Sequence, residues 1–499
     1  MFTKNTSRPA LATLTAAAFL AFAAAPAVAQ NAPAASTGTT AASTAAETAA
    51  LRVQVDALAK QVRELSEKQA ALEKAPSAAA TTPVSGTPAA PAATAPAPAA
   101  AAASVPLASF GENGIRISSA DKVFSASFGL LLQADHRAYL DDSAPSRDGF
   151  LMRRIRLPFS AKLWDNIRFN VTPEYAAGDA AGRDTKLIDA WMSAEISPAL
   201  SVRVGKFPQG VVLEAGAASR HFSEASFQNF LAPDRDIGLE ALGTLGDGLF
   251  GYRVGLVNNV ENNGTGTTNT RDLGDGDPAF AGRFTVSPFK NSGTVFSALA
   301  FSVGAKIGNQ DGPMTAMQTN GRQTALDWGP LRASGLLTQI SPGIEYYGVS
   351  PFSFAAELVW ERRDVSGANA ATGAAFDNAI DNLGWRVSAG YVLTGETATK
   401  AGVKPTSVFN PAKGGWGAFE VVARVSGYRA DSDIFTSGVL SDRTAAKGAF
   451  AYGIGLNWYL NSNLRVLFNV EKTHFDGGRD GAATRDGELY FFTRVQLSF

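Results

Sequence analysis

The stretch YFFTRVQLSF, residues 490–499, ends the chain and decides the fold. One face of the extended chain carries Leu489, Phe491, Val495, Leu497 and Phe499, and the other carries Arg494, Gln496 and Ser498. A period of two predicts a β-strand with one apolar and one polar face. Such a strand belongs either to a membrane wall or to the edge of a soluble sandwich. The rest of the chain distinguishes these two alternatives.

The same alternation recurs from about Asn113 to the end of the chain, most clearly at 124–137, 154–163, 167–174, 252–256, 385–391 and 464–471. Short turn motifs connect many of the segments: Trp164-Asp165-Asn166, Ser197-Pro198-Ala199, Gly246-Asp247-Gly248, Ser287-Pro288, Ser350-Pro351 and Asn461-Ser462-Asn463. Longer polar stretches lie at 258–278, 309–329, 365–382, 397–415, 431–447 and 476–486. Short turns at one end and long loops at the other are typical of an outer-membrane barrel.

Composition excludes one class of membrane protein and leaves another. The chain has 499 residues and a mean hydropathy of −0.02. After the first 29 residues no run reaches ~18 uncharged apolar residues, which excludes a helical membrane protein. At about 24 residues per strand and connection, residues 113–499 predict an all-β fold, a roughly 16-stranded antiparallel transmembrane β-barrel with an aqueous channel. A soluble all-β protein would need a second layer to cover its apolar faces.

The first 50 residues precede any folded segment. Residues 1–29 have the features of a signal peptide: Lys4 and Arg8, then an apolar core at 11–25, then the small residues Ala27-Val28-Ala29. This pattern predicts export and cleavage before Gln30. Residues 30–50 are mostly Ala, Ser and Thr, so we expect them to be disordered.

Residues 51–74 have a heptad pattern and are predicted to form a short coiled coil. The apolar positions step by four and three through Leu51, Val55, Leu58, Val62, Leu65, Gln69 and Leu72. Valine at position a with leucine at d favours a parallel dimer, and a single amphipathic helix is the alternative. Residues 75–112 are rich in Ala and Pro and are predicted to be an extended linker.

No catalytic or metal-binding pattern is present. The three histidines, His136, His221 and His474, are widely separated, and the chain has no cysteine. Neither a nucleophile-elbow motif nor a Walker loop occurs. We therefore expect no enzymatic activity, no metal, no cofactor and no nucleic-acid partner, and an outer-membrane enzyme is opposed by the missing catalytic residues.

Cationic side chains alternate with the apolar ones on most predicted strands. By this pattern the lumen receives Arg137, Arg154, Arg156, Lys162, Arg168, Arg203, Arg253, Arg283, Lys306, Arg386, Arg424, Arg465 and Arg494. A charge on the lipid face would cost ~2–4 kcal/mol at mid-depth. Rings of Arg and Lys attract anions, and guanidinium binds phosphate with two hydrogen bonds. Inward-facing acids oppose this preference, at Asp135, Glu174, Glu357, Glu420 and Glu471. An anion-favouring pore and an unselective pore are therefore both open at this point.

Four stretches carry a resemblance to a known family: 150–175 (FLMRRIRLPFSAKLWDNIRFNVTPEY), 188–214 (IDAWMSAEISPALSVRVGKFPQGVVLE), 384–396 (GWRVSAGYVLTGE) and 452–475 (YGIGLNWYLNSNLRVLFNVEKTHF). With them, residues 113–499 resemble the phosphate-selective porins of the O and P type. The resemblance implies a trimeric 16-stranded barrel that passes phosphate or polyphosphate along Arg and Lys side chains. It implies a homotrimer here, against the dimer preference of the heptads.

The resemblance also implies particular site residues. Arg153 and Arg154 match a pair of arginines at the family's binding zone; alternation turns Arg153 outward, and a local bulge would bring both inward. Asp189 matches an acidic residue at the constriction. An inward loop is expected from about Val211 to Pro233, with Arg220 at a basic position beside His221 and Glu224. The chain carries Arg156 where members with strict phosphate preference have a tyrosine.

These observations predict an outer-membrane porin for passive diffusion of small anions, with phosphate or polyphosphate as the expected solutes. The terminal aromatic Phe499 resembles the assembly signal that the barrel assembly machinery of the outer membrane reads. The alternative is a general or otherwise selective porin whose periplasmic coiled coil tethers the outer membrane to the cell wall.

Overall fold

The computed structural model describes residues 60, 107–140, 148–176, 185–214, 220–232, 235–259, 277–369, 371–478 and 485–499. The predicted signal peptide and disordered segment lie outside the described residues. So does the predicted coiled coil, apart from the helical residue Lys60. These predictions therefore stay predictions.

Twenty-two strands follow one another along the described chain. They are β1 (Leu107–Gly111), β2 (Gly114–Ser118), β3 (Ser125–Phe128), β4 (Leu131–Tyr139), β5 (Gly149–Arg156), β6 (Phe159–Leu163), β7 (Ile167–Glu174), β8 (Lys186–Ser197), β9 (Leu200–Pro208), β10 (Arg235–Leu245), β11 (Phe250–Val257), β12 (Ala279–Val286), β13 (Leu299–Pro313), β14 (Met317–Gln318), β15 (Thr324–Leu326), β16 (Arg332–Tyr346), β17 (Phe352–Ala368), β18 (Ala375–Val392), β19 (Ala418–Arg429), β20 (Ala446–Tyr459), β21 (Leu464–Gly477) and β22 (Glu488–Ser498). Two short helices, α1 (Gln228–Leu231) and α2 (Asp433–Thr436), and two 3-10 turns, Val295–Ala298 and Pro411–Lys413, lie in connections.

Neighbouring strands pair antiparallel around a closed barrel. β3 and β4 form one wall strand, and β5 and β6 form another that is interrupted at Pro158, which has no backbone N–H to donate. With these two counted once, and β1, β2, β14 and β15 set aside, the wall of the described chain has sixteen strands, as predicted. The barrel closes between β22 and β4, where Arg494 pairs with Asp135. At this seam the backbone N–H of Phe499 donates to Leu130 O at 3.0 Å.

The β1–β2 hairpin extends the wall beyond the closing seam. β2 pairs with β3 on the side that β22 does not reach. Gly114 turns this hairpin with φ +76°, and a Cβ there would lie 2.4 Å from Phe128 O. The ring of Phe110 meets the ring of Phe499 edge-on at 6.1 Å. The wall therefore begins inside the segment that was predicted to be linker, before Asn113.

Side chains alternate between the two faces of the wall. On β12, Phe280 and Phe284 are 68% and 62% exposed on the outer face, whereas Arg283 is 7% exposed on the inner face. The apolar outer face suits lipid, because aromatic and aliphatic side chains gain by leaving water. No helix within the described residues is long and apolar enough to cross a membrane.

Three connections differ from the sequence prediction. Most of 365–382 is strand, because β17 continues to Ala368 and β18 begins at Ala375. The stretch 397–415 lies in the connection between β18 and β19, at the barrel end that holds the short turns (the turn end) and not at the opposite loop end. Its Lys404 forms an ion pair with Glu112 at 3.1 Å. The predicted turn at Ser287-Pro288 is the start of a longer connection that includes the 3-10 turn Val295–Ala298. Alternation marks strands but does not tell which end of a barrel a loop occupies.

Two loops from the loop end fold into the barrel. The first inward loop, described at 209–214 and 220–232, contains α1, and a Cβ at Gly384 of β18 would lie 2.7 Å from Gln228 Cα. The second inward loop, 314–331, contains the β14–β15 hairpin. Both bury apolar side chains against inward residues of the wall in one cluster, which includes Val211, Phe227, Leu231, Met317, Leu326, Trp328, Val359, Ile380 and Tyr428. The lumen is therefore partly filled by packed loops.

Candidate functional site: the arginine-lined lumen

The paired arginines Arg153 and Arg154 lie at a β-bulge. Gln133 pairs with Arg154 and Ala134 pairs with Met152, so that Arg153 is an extra residue on β5. The bulge lets both neighbours turn inward, as the family resemblance implied and alternation did not. Arg153 reaches Glu224 of the first inward loop, and Arg154 donates to Gln133 Oε1 at 3.2 Å.

Glu224 gathers guanidinium groups from several elements. Its carboxylate accepts from Arg153 Nε at 2.9 Å and Arg494 Nη2 at 2.6 Å, and Arg137 Nη2 lies at 3.4 Å. Arg322 Nε of the second inward loop lies 4.0 Å away. Burial alone would raise the pKa of the Glu224 carboxyl, but Arg153 and Arg494 outweigh it and hold that pKa well below its ordinary value.

A second carboxylate of the first inward loop, Glu214, faces the opposite part of the wall. Arg386 Nε lies 3.6 Å from the Glu214 carboxylate, and the backbone N–H of Glu214 donates to the Glu357 carboxylate at 3.4 Å. Burial would raise the pKa of Glu214, but Arg386 and Arg424 lower it below its ordinary value. Arg424 itself binds Glu471 at 2.9 Å and donates to Glu224 O at 2.7 Å.

Arg283 binds the backbone at the start of the first inward loop and does not face open lumen. Its guanidinium donates to Gly210 O at 2.6 Å and to Ser302 Oγ at 2.5 Å, and it lies 3.3 Å from Glu357. This wall arginine therefore fixes the backbone of the loop to the barrel wall through the loop's carbonyl oxygens.

Arg220 is a structural anchor in the same loop. Both terminal nitrogens of its guanidinium donate to Glu420 at 2.7 Å, one of them also to the Tyr459 hydroxyl at 2.7 Å, and Nε donates to Thr399 O at 2.7 Å. Thr399 belongs to the β18–β19 connection, so Arg220 joins the inward loop to the turn end. His221 beside it contacts Ser388 Oγ at 3.2 Å and Ser353 Oγ at 2.8 Å.

Ion pairs join nearby wall strands between β5 and β11. Arg156 pairs with Glu174 across β5 and β7, and Asp189 pairs with Arg235 at 2.8 Å. Glu240 is shared by Arg203 and by Arg253, the latter at 2.6 Å. These predicted pathway residues are thus paired along the wall.

Three predicted residues stand apart from this network. Lys162 pairs with Asp165 at 2.8 Å and Arg168 pairs with Glu195 at 3.0 Å, both at the rim of the turn end. Arg465 faces a cavity of about 640 Å³ under the β18–β19 connection and contacts Gln496 Oε1 at 3.1 Å. Of the carboxylates in the described part of the chain, none lies within 4.0 Å of Arg465. It is only 8% exposed.

The model of the family described as phosphate-selective porin O and P matches residues 127–486, which is most of the barrel. The chain belongs to this family. Porin O of Pseudomonas aeruginosa is 22% identical over 426 residues, which cover 78% of this chain and 91% of that protein. Family membership identifies the barrel as an outer-membrane channel rather than an enzyme.

Solved structures with low sequence identity to this porin include a porin and an outer-membrane channel. The anion-selective porin from Comamonas acidovorans aligns with a TM-score of 0.46 at 13% identity, over 75% of this chain and all of that chain. The DcaP channel of Acinetobacter baumannii aligns with a TM-score of 0.47 at 11% identity, over 75% of this chain and 97% of that chain.

Sequence reasoning missed several charged residues of this porin's lumen. Glu240 could have been found, because it alternates with the outward Ile237 and Leu239 on β10. Glu214 and Arg322 lie in inward loops, where alternation gives no signal. The described residues contain no group of three or more His, Asp or Glu side chains arranged to hold a metal ion.

Proposed function

We propose that this porin admits small anions by passive diffusion across the bacterial outer membrane. The observation that carries the proposal is that arginines from many wall strands face the lumen, from β4 and β5 through β22. Guanidinium stays charged at any physiological pH and binds oxyanions through paired hydrogen bonds. Because acids pair with many of these arginines, the net preference depends on the cations that keep capacity for a passing anion.

Arg465 is such a cation. It faces the lumen near the turn end, and within the described residues its Nε has no hydrogen-bond partner. A buried guanidinium with spare donors favours an anion beside it. Replacing Arg465 also leaves no carboxylate without its partner, so the substitution tests the pore charge without breaking an ion pair.

The test is the reversal potential of the purified porin in planar bilayers across a potassium chloride gradient. We expect an anion-favouring potential, and Arg465→Gln should reduce the anion-to-cation permeability ratio about twofold or more. Arg362→Gln is the matched control, because Arg362 is an exposed arginine that pairs with Asp381 on the outer face. A wild-type porin that prefers cations contradicts the proposal.

Phosphate or polyphosphate is the proposed solute class. The family description, phosphate-selective porin O and P, supports it, together with the paired arginines Arg153 and Arg154. Single-channel current in chloride should be blocked by added inorganic phosphate at concentrations that leave the bilayer unaffected. Equal concentrations of added nitrate that block as strongly would contradict a phosphate preference.

Further parts of the proposal concern assembly and location. A homotrimer is proposed from the family resemblance, with Phe499 as the signal for the barrel assembly machinery. The turn end, which holds both the chain terminus and the start of the wall, would face the periplasm. The coiled coil at 51–74 as a tether to the cell wall stays a prediction.

A further inference from the structure

Glu224 is bound as a free oxyanion would be bound. Arg153 donates to both carboxylate oxygens of Glu224, from Nε to Oε1 at 2.9 Å and from Nη2 to Oε2 at 3.2 Å. Arg494 adds Nη2 at 2.6 Å, Arg137 adds Nη2 at 3.4 Å, and Arg322 stands 4.0 Å away. These four guanidiniums come from β5, β22, β4 and the second inward loop, so a single carboxylate is surrounded by arginines from four parts of the barrel.

This arrangement has the geometry with which arginine recognises phosphate. The planar fork of a guanidinium donates two parallel hydrogen bonds to two oxygens of a carboxylate or of a phosphate. Arg494 already uses such a fork on Asp135, with Nε and Nη2 both at 2.6 Å. The carboxylate of Glu224 therefore fills a position where a tetrahedral oxyanion would find the same donors.

The backbone of Glu224 is held independently of its side chain. Arg424 Nη1 donates to Glu224 O at 2.7 Å, and Ser223 N donates to Asn469 Oδ1 at 2.9 Å. Arg494 Nη1 also donates to Ser223 O. Loss of the carboxylate alone would therefore leave this part of the loop attached to the wall.

We propose that the Glu224 carboxylate is a tethered counter-ion in an oxyanion site made by Arg137, Arg153, Arg494 and Arg322, and that multivalent oxyanions bind there by displacing it. This inference rests on the proposed function as an anion pore. Two anions cannot share one set of donors without repulsion, so the tethered carboxylate weakens binding of the permeating one. Weaker binding speeds release, and conduction needs a site that an ion can leave.

Glu224→Gln tests the inference with the full-length porin in planar bilayers and inorganic phosphate as the probe. The amide keeps the size of the side chain and removes its charge. We expect phosphate to block the chloride current at a concentration about tenfold lower than in the wild type, which corresponds to about 1.4 kcal/mol. The reversal potential should also become more anion-favouring. Asp381→Asn is the matched control, because it removes an arginine-paired carboxylate from the outer face, and it should change neither quantity.

Arg322→Gln gives a second variant with the opposite sign. Arg322 sits at the tip of the second inward loop, and its removal leaves the pairs between Glu224 and the wall intact. It should raise the blocking phosphate concentration about threefold, since the site loses one of four cations. This variant tests the proposed oxyanion site if Glu224→Gln fails to assemble.

The outcomes separate the two proposals. Unchanged or weaker phosphate block in Glu224→Gln overturns the tethered counter-ion and shows that Glu224 instead organises the arginines. If Glu224→Gln does not assemble, unchanged block in Arg322→Gln overturns it. A cation-preferring wild type that Glu224→Gln turns towards anions supports the counter-ion while contradicting the proposed function.

Discussion

The two inward loops enter the same barrel from the same end and pack into one apolar cluster, yet they differ in how much charge holds them. The first inward loop adds charged contacts to this packing: Arg220 binds Glu420, Glu357 accepts from Leu213 N, and Glu224 binds wall arginines. The second inward loop relies more on apolar packing of Met317 and Trp328 and on its own hairpin, with hydrogen bonds from Thr319 to Glu488 and from Asn320 to Glu471. We therefore expect the first loop to supply more of the charge around the pore, whereas the second loop, apart from Arg322, mainly reduces the open cross-section.

Loss of the Glu357 carboxylate should have the largest effect, because it removes the main charged anchor of the first inward loop. Glu357 is 4% exposed, accepts from Ser341 Oγ at 2.8 Å, and lies 3.3 Å from Arg283 and 3.7 Å from Arg386. Removing one partner of buried ion pairs costs about 3–5 kcal/mol. We expect Glu357→Gln to lower the free energy of unfolding by about 3 kcal/mol, measured by guanidinium chloride denaturation in detergent micelles.

Glu195→Gln is the control for this prediction, since Glu195 forms an exposed pair with Arg168 at the rim. Exposed pairs contribute at most about 1 kcal/mol. Equal losses in the two variants would show that charge does not anchor the first inward loop.

The corresponding change in the second inward loop is Met317→Ala. Met317 is 1% exposed within the apolar cluster, and truncating a buried methionine to alanine costs about 2–5 kcal/mol, with the lower end expected where a loop can relax. We expect a loss of about 2 kcal/mol and no change in reversal potential, because no charge moves. A shift in reversal potential as large as that of Arg465→Gln would contradict the claim that Met317 contributes packing and not ion selectivity.

The same contrast explains what the sequence could predict. Strand alternation predicted the wall strands and the inward direction of residues such as Arg283 and Arg424, because a period of two follows directly from backbone geometry. The length of the alternating region predicted about sixteen strands. The paired arginines needed a bulge that alternation does not encode, and the family resemblance supplied it. The second inward loop was missed, because its apolar residues lack a regular period and its burial depends on the wall around it.

The sequence also could not predict which charged residues would form ion pairs with one another. Alternation placed Glu357, Glu420 and Glu471 in the lumen but did not show that each would bind an arginine of another strand or of a loop. Such pairing depends on which residues the barrel brings together from distant parts of the chain. Arg322 illustrates the point: it adopts φ +71°, uncommon for a residue with a side chain, at the tip of a hairpin that reaches Glu224.

The last expected effect depends on pH and concerns His221, the one histidine of the first inward loop. Burial first, and then the charges of Arg220 and Arg386, hold the pKa of His221 well below its ordinary value of 6.5. Unfolding restores the ordinary pKa, so the unfolded chain takes up a proton that the folded chain does not. Stability is then complete above pH 6.5 and falls as the pH drops below it, by at most about 1.4 kcal/mol per pH unit.

His221→Gln should remove this slope, because glutamine keeps hydrogen-bonding capacity towards Ser353 and Ser388 but does not titrate. The pKa of Glu224, held below its ordinary value of 4.5, adds its own loss of stability only at lower pH. The window between pH 6.5 and 4.5 therefore isolates His221 within this loop. Guanidinium chloride midpoints at about pH 7.5 and about pH 5 measure the effect. An equal decrease in the stability of wild type and variant would contradict this prediction. It would mean that burial and the neighbouring arginines do not keep His221 neutral in the folded protein.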